Sequence, residues 1–458
     1  MRTSYDVIIV GAGPAGIFAA LELAKARSLR VLMLEKGKDL DQRLRPGQRA
    51  KVPPGCLVSG WGGAGAYSDG KLTLSPHFGG QLGDYVSSPA LEHLIEEVDQ
   101  TYLRFGAPTE IHGTEEEGIR ELAHRATLAD LELIPARIRH LGTERCPVIL
   151  QAMHRELENA VEIRTETLAE QIVAREGRVT GVRIAGGKRL SCRYLIVAPG
   201  RDGAGWLTQQ ADRLGLKRKD NPVDVGVRVE VPAVTLQRIT DLIYEPKLVF
   251  YSKTFDDRVR TFCMCPYGEV VTEYYNDNVI TVNGHSYASK RTGNTNFALL
   301  VSTSFTEPFR DPIAYGKYLA GLANVLGGGV IVQRLGDLQA GRRSTHERIR
   351  RGIVQPTLAS ATPGDLSFVL PYRHLSGILE MLQALDQVAP GVASRHTLLY
   401  GVEVKFYSSR PKLSGSLETE VAGLFAIGDG AGVTRGLVQA SASGILAARE
   451  ILLRERVS

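Results

Sequence analysis

Three glycines near the start of the chain have the types and spacing for phosphate chemistry. Gly11, Gly13 and Gly16 stand in the order G-A-G-P-A-G, with Pro14 and Ala15 between the second and third. Before them runs YDVIIV, from Tyr5 to Val10, apolar and rich in β-branched residues. After them Ile17 to Ala26 reads as a helix. The next apolar run, Val31 to Leu34, ends at Glu35 and Lys36. Strand, glycine turn, helix, strand and acid together form the dinucleotide-binding fingerprint. Gly11 allows a tight turn, Gly13 lets backbone approach a pyrophosphate, and Gly16 lets the helix pack on the strand. The helix start offers N–H groups and the positive end of its dipole to phosphate oxygens. Glu35 is placed to accept hydrogen bonds from a ribose diol.

Two later segments restrict which dinucleotide this is. Tyr194 to Ala198 reads as a buried strand closed by Pro199 and Gly200, which returns the chain to the first sheet. Leu424 to Ile427 reads as a short strand ending in Gly428-Asp429, followed by a helix start at Gly436 and Leu437. In two-part FAD folds an aspartate at that place binds the ribityl chain, and the following helix start faces the flavin pyrimidine. Glycine turn, middle strand and terminal Gly-Asp occur in the order that FAD proteins show. No second complete dinucleotide fingerprint, with strand, glycine turn, helix, strand and acid in order, exists. The segment from Gly200 to Gly205 is glycine-rich but closes the first sheet, so it belongs to the same domain. FAD bound non-covalently is therefore the expected cofactor, with NAD(P)H at most a transient reductant.

The bulk properties set the background. The chain has 458 residues, 43% hydrophobic and 23% charged, with a formal charge of +5. That balance suits an anionic cofactor and a small-molecule substrate, and gives no support for nucleic acid. The densest basic segment, from Arg342 to Arg351, reads as a solvated helix face. Five cysteines with no C-x-x-C spacing give no support for iron–sulfur or structural zinc sites and suit a reducing cytoplasm. No apolar run is long enough for a transmembrane helix, and the ten histidines show no metal spacing.

The elements that must position these residues are interleaved. We expect an FAD-binding domain in three parts, 1–87, 147–215 and 397–458, with a helical insertion over 88–146 and a substrate domain over 216–396. Val161 to Arg164 reads as a strand, and residues 169–184 as a hairpin turning at Glu176-Gly177. Period-two alternation at Val225, Val227, Val229 and Val231, and in later segments to Ser302, predicts an antiparallel sheet. Helical patterns follow at 314–326 and 375–385. The fold class is α/β with an α+β insertion.

Long segments are also familiar: GWGGAGAYSDGKL at 60–72, PVDVGVRVEVP at 222–232, RTFCMCPYGEVV at 260–271, TPGDLSFVLPYR at 362–373, LYGVEVKFYSSR at 399–410 and LFAIGDGAGVTRGLVQASASG at 424–444. On these the chain closely resembles a large family of bacterial FAD-dependent dehydrogenases, related in architecture to geranylgeranyl reductases and aromatic hydroxylase-type flavoproteins. The resemblance implies a Rossmann-like FAD-binding domain of the glutathione-reductase or hydroxylase type, with an inserted antiparallel-sheet substrate domain. It also implies an oxidoreductase that transfers a hydride between flavin N5 and a small organic substrate, by reduction of an activated C=C bond or by dehydrogenation. A flavin-dependent monooxygenase is the alternative. Those enzymes usually carry Gly-Asp-Ala-Ala-His, whereas this chain has Gly428-Asp429-Gly430-Ala431-Gly432.

By the same resemblance the loop around Gly62, Gly63 and Ala64 packs beside the flavin ring. Lys71 there would stabilise charge at the flavin or bind a substrate carboxylate; the competing reading is a surface turn with Asp69. Cys263 and Cys265 share one strand face, and Cys265 and Tyr267 are candidate proton donors; the competing reading is packing. Arg228 and Glu230 lie opposite the valines and read as a solvated or ion-paired face. Arg373, Lys405 and Arg410 are anion contacts or salt bridges. Tyr372 and Tyr407 are further candidate donors or cleft aromatics. His77 and His285 read as surface histidines.

Overall fold

The computed structural model describes residues 2–43, 59–67, 70–142, 145–219, 221–274, 279–286, 291–303, 311–405 and 410–457. Asp69 and Tyr407, named above, and one of the five cysteines, Cys56, lie outside the described residues. The chain divides into two compact units. The first holds residues 1–110, 139–221 and 408–458, and the second residues 111–138 and 222–407.

The first unit is built on a five-stranded parallel sheet. Its strands run in the order Leu424–Ala426, Tyr194–Val197, Val7–Val10, Val31–Leu34 and Val161–Arg164. Val7 pairs with both Tyr194 and Val31, so the glycine turn leaves from the middle of the sheet. Every residue of Val7–Val10 and Val31–Leu34 is buried, as expected of parallel strands covered on both faces. The helices Pro14–Ala24 and Leu437–Val457 pack so closely that a Cβ on Gly444 would sit 2.1 Å from the Ala15 carbonyl oxygen. The expected hairpin is present as Ala169–Arg175 and Arg178–Ile184, joined by a third strand, Arg189–Ser191.

The second unit carries an eight-stranded sheet. Its order is Thr362–Pro363, Ile331–Arg334, Leu398–Lys405, Val223–Pro232, Asn294–Thr303, Arg258–Cys265, Lys247–Tyr251 and Leu131–Ile134. The pairings are antiparallel except the first. Val225, Val227, Val229 and Val231 enter its hydrophobic core, with residues of the helices Pro312–Gly327 and Tyr372–Val388.

The boundaries depart from the sequence expectation in two places. Residues 88–146 are not a helical insertion. Ser88–Arg104 belongs to the first unit, while Glu116–Leu128 and the strand Leu131–Ile134 belong to the second. The four-residue alternation LELI, with Leu131 and Leu133 buried, is too short to stand out from the helical segments around it. Likewise Leu398–Lys405, expected after the return to the nucleotide domain, is an internal strand of the eight-stranded sheet.

For Arg228 the ion-paired reading holds, with Glu403 as partner, and for neither Arg228 nor Glu230 does the solvated one. They do lie opposite the valines, but neither is solvated: both are 0% exposed. Arg228 Nε donates to Asn296 Oδ1 at 2.8 Å, and its Nη1 lies 3.5 Å from Glu403 Oε1. Glu230 accepts from Tyr400, from Thr357 Oγ1 at 2.6 Å and from Asn294 Nδ2 at 3.0 Å. Buried charges require such partners.

Candidate functional site

A cavity of about 350 Å³ opens in the first unit at the carboxyl ends of its parallel strands, where open α/β sheets bind ligands. The glycine turn supplies Gly11, Gly13, Pro14 and Ala15 to its wall, and the end of the second strand supplies Glu35 and Lys36. Gly63 and Ala64 reach it from the glycine-rich loop, Ala198 and Gly200 from the middle strand, and Gly428, Asp429, Gly436 and Leu437 from the last segment. Five segments of the chain thus meet around one space.

Three expected residues do not line this cavity. Gly16 packs instead: a Cβ there would lie 2.0 Å from the Gly11 carbonyl oxygen. Gly62 holds the loop, donating its N–H to the Ala12 carbonyl oxygen at 2.8 Å. Lys71 starts a short strand, Lys71–Thr73, and is half-buried outside the cavity wall.

The glycines have distinct steric reasons. Gly11 has φ +105°, and an added Cβ would meet the Ala198 carbonyl oxygen at 2.1 Å. This is the close approach of the first and middle strands. Gly13 is different, because among the described residues nothing beyond its chain neighbours lies within 4 Å of its would-be Cβ. That space is open cavity, directly before the helix Pro14–Ala24. Gly13 is the N-cap of this helix, provides no side-chain cap, and no acidic residue stands in the first turn. The first-turn N–H groups of a helix have no intrahelical acceptors, so this end suits an anion.

Glu35 is 6% exposed and ties the site together. Its Oε2 accepts from Ala12 N at 2.9 Å, and its Oε1 from Gly37 N and Gly60 N, both at 2.8 Å. Beside it Lys36 forms an ion pair with Asp202, which also accepts from Ser59 Oγ at 3.0 Å. On the opposite wall Asp429 Oδ1 accepts from Thr434 Oγ1 at 2.8 Å. Desolvation raises the pKa of the Asp429 carboxyl, opposed by Arg201, Thr434 and Arg435. Gly428 N donates to Ser443 Oγ at 3.1 Å, anchoring the Gly-Asp turn to the last helix.

Some lining residues escaped sequence reasoning. Ser59, Thr167, Trp206 and Arg435 line the cavity, but none belongs to a spacing pattern. Only the adjacency of Arg435 to Gly436 could have pointed to one of them. The remaining candidates are elsewhere. Cys265 is 1% exposed and Tyr267 half-buried, both in the second unit. The Arg291 guanidinium stands 4.9 Å over the Tyr267 ring. Arg373 pairs with Asp257, Lys405 with Glu403 at 3.1 Å and Arg410 with Asp84 at 2.8 Å, all salt bridges. Tyr372 is largely exposed. His285 ends a strand paired with Glu269 rather than forming a turn, and His77 is exposed. Among the described residues no group of His, Cys, Asp and Glu could hold a metal ion, and no helix is long and apolar enough to cross a membrane.

The residues present fit FAD. An uncapped helix start suits its diphosphate, a buried glutamate suits a diol, and an aspartate at the opposite wall suits the polyol. Comparison with known proteins agrees. Residues 6–271 match the family described as FAD dependent oxidoreductase, and residues 222–406 match FAD-dependent protein, C-terminal domain-like. An uncharacterised protein of Clostridium beijerinckii is 28% identical over 97% of this chain and 80% of its own length. Among solved structures, a formate oxidase is 11% identical, with a TM-score of 0.46 over 100% of this chain and 99% of its own. A glycine oxidase of Bacillus cereus is 15% identical, with a TM-score of 0.37 over 98% and 95%. The match over residues 6–271 takes in more than half of the chain, including the glycine turn, Glu35 and the middle strand, and on it the chain belongs to the FAD dependent oxidoreductase family.

Proposed function

We propose that the cavity of the first unit holds FAD non-covalently and that the enzyme exchanges a hydride with a small organic substrate. The observation that carries this reading is the convergence of Gly13, Glu35, Gly200 and Asp429 on one cavity. When bound, FAD supplies a two-electron acceptor and donor to the substrate.

The chain's own residues do the rest. The N-terminus of Pro14–Ala24 holds the diphosphate by backbone N–H groups and dipole. Glu35 keeps the glycine turn and the glycine-rich loop in register while accepting from the ribose. Asp429, with Arg201 and Arg435 nearby, orients the polyol chain. The start of Leu437–Val457 stabilises negative charge on the reduced ring. None of the described residues lining the cavity is His, Cys or Tyr, the side chains that commonly form covalent flavin bonds, which supports non-covalent binding.

The test is purification followed by absorbance spectroscopy, with and without added FAD. A flavin spectrum released by denaturation supports the reading, and a colourless protein that takes up no FAD overturns it. Anaerobic mixing with NADH or NADPH then identifies the reductant by bleaching. Oxygenated product on re-admission of air would transfer the assignment to a monooxygenase.

A further inference from the structure

The second unit contains a pair of thiols at an unusual backbone position beside a buried guanidinium. Cys263 and Cys265 end the strand Arg258–Cys265, and both are reduced. In a regular strand residues two apart have Cα atoms about 6.6–6.8 Å apart, at the upper limit for a disulfide. This strand is not regular there. Its register against Asn294–Thr303 shifts between Phe262 and Cys265, and Cys263 has φ +46°. A non-glycine residue in that region costs on the order of 1–3 kcal/mol, and such strain collects at functional positions. Cys265 Sγ donates to the Cys263 carbonyl oxygen at 3.5 Å, so its side chain turns back toward the first cysteine.

The second observation is chemical. Arg228 Nη2 donates to the Cys263 carbonyl oxygen at 2.6 Å and lies 3.2 Å from Cys265 Sγ. Arg228 remains charged: burial opposes this, but Glu403, Cys265 and Cys263 together push its pKa up. A thiolate is favoured beside a guanidinium and disfavoured in apolar surroundings. Cys192 shows the contrast within the same molecule, since desolvation pushes its thiol up to about 12. Accessibility is also divided. Cys263 is half-buried and reachable, whereas Cys265 is buried. The environment therefore pairs an attacking thiol with a resolving one.

We propose that Cys263 and Cys265 form a redox-active dithiol that reduces low-molecular-weight disulfides, closing to an intramolecular disulfide. The Cys263 thiolate attacks one sulfur of the small disulfide, whose S–S bond breaks and releases one thiol. Cys265, whose sulfur lies 3.2 Å from Arg228 Nη2, gives up its proton and attacks the Cys263 sulfur, expelling the second thiol. The protein loses two electrons, and the small disulfide gains two electrons and the two thiol protons. The proposal rests on the second unit alone and stands whether or not FAD binds. Arg228 acts through Cys265 and is a positioning residue.

The test uses the full chain, reduced, freed of reductant and exposed to 2-hydroxyethyl disulfide. Remaining thiols are alkylated under denaturing conditions and peptides are weighed. The peptide spanning 263–265 should lose two hydrogens and carry no adduct, while Cys146 and Cys192 remain alkylated. Cys265→Ser should accumulate a mixed disulfide on Cys263, and Cys263→Ser should gain none on Cys265. Arg228→Lys should prolong the mixed disulfide about tenfold or more. If that variant does not fold, the two serine variants, checked by circular dichroism, carry the test. Wild-type protein still alkylated at both positions, or a folded Cys265→Ser that takes no adduct, overturns the proposal.

Discussion

Glu35 Oε1 lies 2.8 Å from the backbone nitrogen of Gly60. The acid at the end of the second strand, besides lining the cavity, is a hinge pin for the glycine-rich loop. Glu35→Ala leaves the N–H groups of Ala12, Gly37 and Gly60 without their acceptor, which should destabilise the protein by about 3 kcal/mol. Glu35→Gln keeps one acceptor oxygen and should cost less, while still weakening FAD about tenfold. Urea unfolding and flavin fluorescence titration separate the two effects.

Gly11 and Gly13 should respond in opposite ways to alanine. Gly11→Ala forces a Cβ to within 2.1 Å of the Ala198 carbonyl oxygen at φ +105°, and should cost more than about 3 kcal/mol. Gly13 has φ −82° and ψ −177°, where alanine is allowed, and an added Cβ meets no described atom beyond its chain neighbours within 4 Å. Gly13→Ala should keep its unfolding free energy within about 0.5 kcal/mol of wild type. Its FAD affinity should fall about tenfold or more, because the methyl projects into the cavity. Equal losses of stability in both variants would contradict this division of roles.

Asp429 has a raised pKa, with desolvation the leading cause. A carboxyl raised above its unfolded value contributes stability that is present below the unfolded pKa and lost as pH rises through the folded one. In the FAD-free protein Asp429→Asn should therefore be more stable than wild type near pH 7, with the gap narrowing toward pH 4. With FAD present the order should reverse, because the variant no longer offers a carboxylate to the polyol. Thermal melts with and without FAD, at both pH values, check the crossover.

His374 provides an acid-sensitive point in the second unit. It is 3% exposed, its Nε2 lies 3.0 Å from Thr303 Oγ1, and desolvation lowers its pKa from 6.5 to about 4. The unfolded chain therefore binds more protons between those values, so stability falls as pH drops from 6.5 toward 4. At pH 5 the loss relative to pH 7.5 should be about 2 kcal/mol. His374→Gln should flatten that portion of the pH profile, measured as the urea midpoint of the second unit's transition.

The local chemistry was legible in the sequence where it depends on backbone conformation and period. Gly11 needs φ +105° and Gly16 a close helix, and both requirements are written in residue type. The alternation of Val225, Val227, Val229 and Val231 named a strand and its core face. The same alternation placed Arg228 and Glu230 opposite the core but could not say what covers them. Period reports direction, while burial depends on what else packs there, and here Asn296, Glu403 and Tyr400 come from the two neighbouring strands, which are remote in sequence. LELI at 131–134 was lost for a similar reason, since four residues carry too little periodicity without their neighbour.

The sequence by itself determined the nucleotide turn, the expectation of FAD and the broad division into two architectures, because glycine sterics and hydrophobic period are local properties. Only the tertiary structure decided that Glu35 also anchors Gly60, that Gly62 and Lys71 lie off the cavity wall, and that Arg228 stands against Cys265. Those are contacts between segments remote in the chain, and their geometry comes from sheet register and packing.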